Sequence, residues 1–415
     1  MDLIPASVAI DRIPEGGRIV ASPTCGTPTT LVKALAERSG GRHWSLSTGL
    51  LLTHDPIAEA ARRGDLGYST WHIAAALEPM LADGLISYVP LRASRVPHHV
   101  AATKPDAALV RLTPPDPNGW CSVGPSGSYV LAALEHSNLR IAEIDPSLPR
   151  IWGHSMVHVS EIDLMVESTE ALPVYAAAAQ TPTSAAIASF VLDLLPERPL
   201  LQLGIGAVPE SLLTAFAERG VENLRFTGMV SDGMVGLAEK DLLDHRYLGG
   251  LPPVSGPDLL GTDRLMRWAH ENPSVGVYPS TFAHNPLALA PMDRFVSINS
   301  AVEVDLLGQV NSERVRGRQI SGIGGSIDFF ETATHSEGGL RIIALPSTTP
   351  DGRISRIVAR LGESSAVTMP GSLVQIVVTE HGVAHLEGRS TRERAEALAA
   401  IAAPQHRDAL ISATR

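Results

Sequence analysis

The sequence predicts an α/β protein with mainly parallel sheets, arranged as two lobes. Three observations lead there. Short β-rich runs alternate with helical patterns, as βαβ units require. Aromatics make up only 4% of a chain that is 44% hydrophobic, so the core rests on Ala, Val, Leu and Ile, which suit buried parallel strands covered by helices. At 415 residues the chain is too long for one ordinary core.

The elements follow in order. Residues 17–22 (GRIVAS) read as a strand, followed by a loop with Pro23, Gly26 and Pro28. Residues 29–38 show helical spacing, with Leu31, Ala34 and Leu35 on one side. Residues 43–52, 85–90, 107–112 and 139–144 are further strands. A boundary is expected near residue 180, where AAAAQTPTS separates an N-terminal domain over 1–180 from a C-terminal domain over 181–415. A helix over 184–195 opens the second lobe. A strand over 200–203, a tight loop over 204–209 (GIGAVP) and a helix over 210–220 follow. Later strands are expected at 275–278, 295–298, 341–345 and 373–379. Ser390 and Glu393 form a capping box that opens an Ala-rich helix to about residue 402.

Composition narrows the function. A net charge of −11 argues against nucleic-acid binding as the main task. Two cysteines, Cys25 and Cys121, give neither a disulfide framework nor a zinc cluster and fit a reducing cytosol. The first residues show no signal-peptide pattern, and no apolar run reaches the ~18 residues of a membrane helix. A cytoplasmic protein without membrane or metal partners is therefore expected.

Four segments could carry chemistry. Gly204 and Gly206, after a strand and before a helix, allow close backbone approach to a phosphate or oxyanion; the structural alternative is a tight βα turn. It is not a dinucleotide fingerprint, because Pro209 stands at the third glycine position. Gly322, Gly324 and Gly325 in GIGGS offer a second set of backbone donors; the alternative is a loop between packed elements. Residues 377–385 (VVTEHGVAH) run a β-branched strand into Glu380 and His381, where parallel sheets place reactive groups. Glu380 could be a base, a nucleophile or a clamp; a salt-bridged glutamate beside surface histidines is the plain alternative. Residues 225–233 (RFTGMVSDG) look like a strand end and turn, with Asp232 as a helix cap in the structural reading.

Together these segments resemble the acetyl-CoA hydrolase/transferase family, that is, class I CoA-transferases such as 4-hydroxybutyrate, butyrate or acetate CoA-transferases. The resemblance spans nearly the whole chain. It runs through 117–124 (PNGWCSVG), 142–145 (AEID), 204–209, 231–233 (SDG), 298–306 (INSAVEVDL) and 308–310 (GQV). It continues through 321–325 (SGIGG), 328–329 (DF), 344–348 (ALPST), 378–384 (VTEHGVA), 388–390 (GRS) and 392–395 (RERA). It implies two CoA-transferase-like α/β lobes with an interlobe active-site cleft and a homodimer. The implied substrates are a coenzyme A thioester and a small carboxylate or other acyl acceptor, with no tightly bound cofactor and no metal. In such enzymes a glutamate attacks the acyl-CoA, releases CoA and holds the acyl group as an anhydride until a carboxylate exchanges in.

That glutamate belongs to a segment resembling T-E-M-x-S-D-G. Here it reads TGMVSDG, with Gly228 at the nucleophile position. Glycine cannot form the anhydride, and its lack of a side chain implies extra space of about a carboxylate's size. By the same resemblance, Asn299 and Glu380 contact the reacting carboxylate. Gly325, beside Gly324, matches a backbone donor near the thioester oxygen, and Val208 lies in the loop that matches the other donor, alongside Gly204 and Gly206. His381 stands where the family often has tyrosine or glutamine, and His385 follows one turn on if the segment is helical. Three activities follow as expectations. One is acyl transfer or hydrolysis with Glu380, aided by His381, as general base. Another is true CoA transfer with Glu380 as substitute nucleophile. The third is acyl-CoA binding without catalysis.

Overall fold

A computed structural model describes residues 2–246 and 249–413. The chain divides into two compact units. The first takes the chain to Ala176, then Val230–Asp232 and Gly250–His284; the second takes Ala177–Met229, Gly233–Gly249 and the chain from Asn285 onward. Neither unit is a single continuous stretch.

The first unit is built on strands β1 (Arg18–Ala21), β2 (Trp44–Thr48), β3 (Leu66–Thr70), β4 (Ser87–Tyr88), β5 (Ala107–Leu112), β6 (Leu139–Ile144) and β7 (Leu164–Glu167). They lie in the order β7-β6-β5-β1-β2-β3-β4, parallel at every pairing. Every residue of β5 (AALVRL) is buried, as a central strand covered on both faces requires. Helix α1 (Thr29–Arg38) returns from β1 to β2, and its Leu31, Val32, Ala34 and Leu35 enter the core with Ile19, Leu46 and Leu109. The charge that β5 brings inside, Arg111, is fully buried. It is held by Asp145 at 2.7 Å and by the carbonyls of Thr27 and Glu170, so the guanidinium is paired rather than stranded.

Asp232 fastens the inserted segments of this unit. Its carboxylate accepts from Thr262 N–H (2.8 Å), Thr262 O–H (2.7 Å) and Leu265 N–H (3.2 Å). It caps a helix, as the structural reading has it, but that helix is the distant Asp263–Ala269.

The second unit uses β8 (Leu200–Leu203), β9 (Arg225–Gly228), β10 (Phe295–Asn299), β11 (Leu340–Ala344), β12 (Ile376–Thr379) and β13 (Gly382–His385), in the order β13-β12-β11-β10-β8-β9. All pairings are parallel except β12 with β13, a tight hairpin pairing Thr379 with Gly382 and Ile376 with His385. The segment after Glu380 is therefore a strand, not a helix: the β-branched, two-residue alternation continues through the turn. Helices α2 (Pro182–Leu192), α3 (Ala207–Arg219), α4 (Ser326–His335) and α5 (Thr391–Ala400) are among the helices of this unit. The capping box at α5 is present, with Ser390 and Glu393 exchanging hydrogen bonds. Phe330 of α4 and Val377 of β12 share a core cluster with Leu398 of α5. Among the described residues no helix is long and apolar enough to cross a membrane.

Candidate active site

The parallel strands of the second unit point their carboxyl ends to one edge, where open α/β sheets bind ligands. Gly204 follows β8, Gly228 ends β9, Asn299 ends β10 and Glu380 follows β12. Ser347 lies three residues beyond β11.

Gly228 is buried at φ +83°, a conformation that favours glycine. A Cβ built there would sit 3.0 Å from Gln202 Cγ and 3.5 Å from the Phe329 ring. Phe329 is itself fixed by stacking on Phe295 at 6.2 Å between centroids. The extra space expected beside residue 228 is therefore not open where a side chain would start: Gln202 and Phe329 close on it.

Gln202 belongs to a buried amide–hydroxyl network. Its Oε1 accepts from Ser297 Oγ (2.5 Å) and from Asn299 Nδ2 (3.0 Å), and Asn299 Nδ2 also reaches Ser297 Oγ at 3.0 Å. Asn299 Oδ1 comes within 3.3 Å of the Cβ position of Gly204, so a side chain there would have to push Asn299 aside by a few tenths of an ångström. Asn299, Gly204 and Gly228 thus gather around one network. Gln202 and Ser297 were not singled out from sequence, although each is a polar residue interrupting a buried apolar strand, LLQL and FVSIN. Such an interruption demands a partner.

Glu380 lies in a second cluster. Its carboxylate accepts from Ser347 N–H (2.8 Å) and Ser347 O–H (2.6 Å). His381 Nε2 stands 3.7 Å from Glu380 Oε1, an electrostatic neighbour but too far for a good hydrogen bond. Arg356 donates its backbone N–H to the Ser347 carbonyl at 2.8 Å. Burial pulls the Arg356 guanidinium below its usual range, and the Glu380 charge pushes it back up. His385, at the far end of the β12–β13 hairpin, is exposed and pairs in register with Ile376, at the opposite end of the hairpin from the turn that holds Glu380. Strands lie about 4.8 Å apart, so the strand ending at Glu380 is about 10 Å from that of Asn299 and about 19 Å from that of Gly228.

Val208 and Gly325 sit at helix starts. Val208 is the second residue of α3, where backbone N–H groups have no partner within the helix, and Gly325 is the N-cap of α4. Both helix ends concentrate positive partial charge at this edge.

Comparison with known proteins agrees over the whole chain. Residues 2–175 match the acetyl-CoA hydrolase/transferase N-terminal domain, and residues 261–414 match the C-terminal domain of the same family. The chain is 34% identical to the 4-hydroxybutyrate coenzyme A transferase of Clostridium kluyveri, over 99% of this chain and 96% of that protein. It is 31% identical to the butyryl-CoA:acetate CoA-transferase of Anaerostipes caccae, over 93% of this chain and 89% of that protein. Among solved structures, RipA from Yersinia pestis superposes with a TM-score of 0.91 at 28% identity, covering 99% of this chain and 96% of that one. The 4-hydroxybutyrate CoA-transferase of Porphyromonas gingivalis superposes with a TM-score of 0.81 at 27% identity, with the same coverage. Parallel α/β units, glycine loops at helix starts and matches along the full length converge: the chain belongs to the acetyl-CoA hydrolase/transferase family and is an enzyme of that CoA-transferase and hydrolase class.

Proposed function

We propose that this enzyme acts on an acyl-CoA without forming an acyl-glutamyl intermediate at position 228, and that Glu380 serves as general base for hydrolysis or for transfer to a second acceptor. The observation that carries this reading is the geometry of Glu380, whose carboxylate is oriented by two donors of Ser347 beside the His381 imidazole. A carboxylate held in this way is preorganised to accept a proton. The separation across the sheet supports a base over a substitute nucleophile, because Glu380 is about four strand spacings from the backbone of Gly228.

In the proposed step Glu380 takes a proton from water or an acceptor hydroxyl as its oxygen attacks the thioester carbonyl. The oxyanion is met by the N–H groups of Val208 and Gly325 at the α3 and α4 helix starts. The C–S bond then breaks, and the CoA sulfur receives the proton held by Glu380. Asn299, fixed by Gln202 and Ser297, orients the acyl group.

The test is thioester consumption with acetyl-, butyryl- and 4-hydroxybutyryl-CoA, with and without acetate. Glu380→Gln is expected to lower kcat by about 10²- to 10⁴-fold. Hydroxylamine trapping during turnover is expected to label no glutamate. A Glu380→Gln enzyme running at the wild-type rate, or a trapped acyl adduct on Glu380, would sink the proposal.

A further inference from the structure

The second unit carries a basic hairpin that the catalytic reading does not use. Residues 314–320 read RVRGRQI: three arginines and no acid, in a chain of net charge −11. Arg314–Val315 and Arg318–Gln319 pair antiparallel across a two-residue turn, Arg316-Gly317, with φ +51° and +80°. Positive φ at both central residues makes a tight turn whose twist suits the flanking strands. The hairpin is clamped at its base. Ile320 N–H donates to Glu313 O (2.8 Å), Arg314 Nε to Gln319 Oε1 (3.0 Å), and the buried Gln319 to Ser321 O (2.7 Å).

Two other segments extend this face. A Cβ on Gly317 at the hairpin tip would lie 3.3 Å from Ser364. Asp351 has its carboxyl held below the usual range by hydrogen bonds from Thr349 and Arg353 and by the nearby charge of Arg316. Arg353 is exposed beside Asp351, and Val315, Ile320, Ile354 and Val367 expose branched apolar side chains on the same segments, Val367 next to the Thr368 that accepts from Ser312 N–H. The face adjoins the chemistry at both ends. The chain runs from Ile320 directly into the Gly322–Gly325 loop, and the turn bearing Arg353 and Ile354 is bridged at Thr348–Ser355, next to the Ser347 that holds Glu380.

We propose that this face docks an acidic carrier protein bearing the acyl group as a thioester on a phosphopantetheine arm. The inference rests on the reading that the substrate is an acyl thioester. CoA and such carriers present the same arm and the same thioester, so the reaction at Glu380 is unchanged. Free CoA calls for a few cations around its phosphates. Arginines spread over several segments and interleaved with aliphatic side chains are the composition of a protein interface. Asp351 meets part of this charge, pairing with Arg353 at 3.7 Å and lying near Arg316, and the surplus of arginines over this acid gains from an anionic partner.

The test uses the full chain and, as probe, a dye-labelled acidic acyl carrier protein of bacterial fatty-acid synthesis in its holo form. Binding is read by fluorescence anisotropy at about 50 and about 300 mM salt, and turnover is read separately with acyl-CoA. Wild type is expected to bind at low salt and weaken at high salt. Arg316→Glu/Arg318→Glu is expected to weaken carrier binding by about tenfold or more, and Arg353→Glu to weaken it too, while acyl-CoA turnover stays within about threefold. Unchanged thermal melting shows that the variants fold. No binding by wild type at low salt overturns the proposal. So does an equal loss of carrier binding and acyl-CoA turnover in the variants, which would make the arginines a site for CoA phosphates. Absence of acyl-CoA turnover in wild type would count against the proposed reaction but not against docking, because binding is measured without it.

Discussion

At position 228 the backbone decides more than the missing carboxylate does. A residue with a Cβ at φ +83° pays about 1–2 kcal/mol in conformation alone. Here that Cβ would also press on Gln202 Cγ at 3.0 Å. Gln202 cannot easily give way, because its amide end is tied to Ser297 and Asn299. Gly228→Ala is therefore expected to lower the unfolding free energy by about 1–3 kcal/mol in urea titrations. Gly228→Glu is expected to be at least as destabilised, rather than to restore a CoA-transferase nucleophile at no structural cost. An alanine variant as stable as wild type would mean the left-handed backbone is not required. The second residue-scale expectation concerns Ser347, which donates its N–H and O–H to Glu380. Ser347→Ala removes one of two donors that orient the carboxylate and is expected to lower kcat about tenfold with KM little changed. Ser347→Thr keeps the hydroxyl and is expected to rescue most of the loss; equal damage by both variants would point to packing instead.

At the scale of elements, sequence and structure agree where a strand hands over to a glycine turn. The strand Leu200–Leu203 and the helix Ala207–Arg219 flank the GIGAVP loop much as the apolar periodicity predicts. The helix Thr29–Arg38 and the strands Ala107–Leu112 and Leu139–Ile144 also coincide with their sequence patterns. Those signals are local. What escaped them is non-local: the Gln202–Ser297–Asn299 network joins residues 95 and 97 positions apart. Likewise, Ser347 and Glu380 meet across 33 positions. The strand Gly382–His385 escaped because a helical turn and a hairpin return both bring the chain back within a few residues. Asp232 shows the same limit, since its role as a cap is legible but the helix it caps is 31 residues away and known only from the fold. Because it satisfies two backbone N–H groups and a hydroxyl, Asp232→Ala is expected to cost about 1–2 kcal/mol in chemical denaturation. A loss below about 0.5 kcal/mol would mean other contacts hold the inserted segment.

At the scale of the whole molecule, two buried groups of the first unit set opposing pH dependences. Burial pushes the Asp258 carboxyl up to about 7, against hydrogen bonds from Ser128 and Gly127 that favour its ionised form. Burial pushes the His284 imidazole down to about 3, with Ser280 Oγ 3.0 Å from its Nδ1. Between about pH 4 and 6.5 the folded chain keeps a proton on Asp258 that the unfolded chain has released, so this group's contribution is present at low pH and lost as pH rises through about 7. Over the same interval the unfolded chain protonates His284 and the folded chain does not. That contribution is therefore present above about pH 6.5 and lost as pH falls toward about 3. Each slope is at most about 1.4 kcal/mol per pH unit, and in the shared window they oppose. Removing one partner should expose the other. Relative to wild type, Asp258→Asn is expected to gain stability progressively as pH rises from about 4 to 7, and His284→Gln to gain it as pH falls from about 6.5. Urea titrations of the three proteins across this range check both signs. Parallel curves for wild type and Asp258→Asn would mean that the carboxylate ionises in the folded chain as readily as in the unfolded one, and that the pocket formed with Ser128 is wetter than its burial implies.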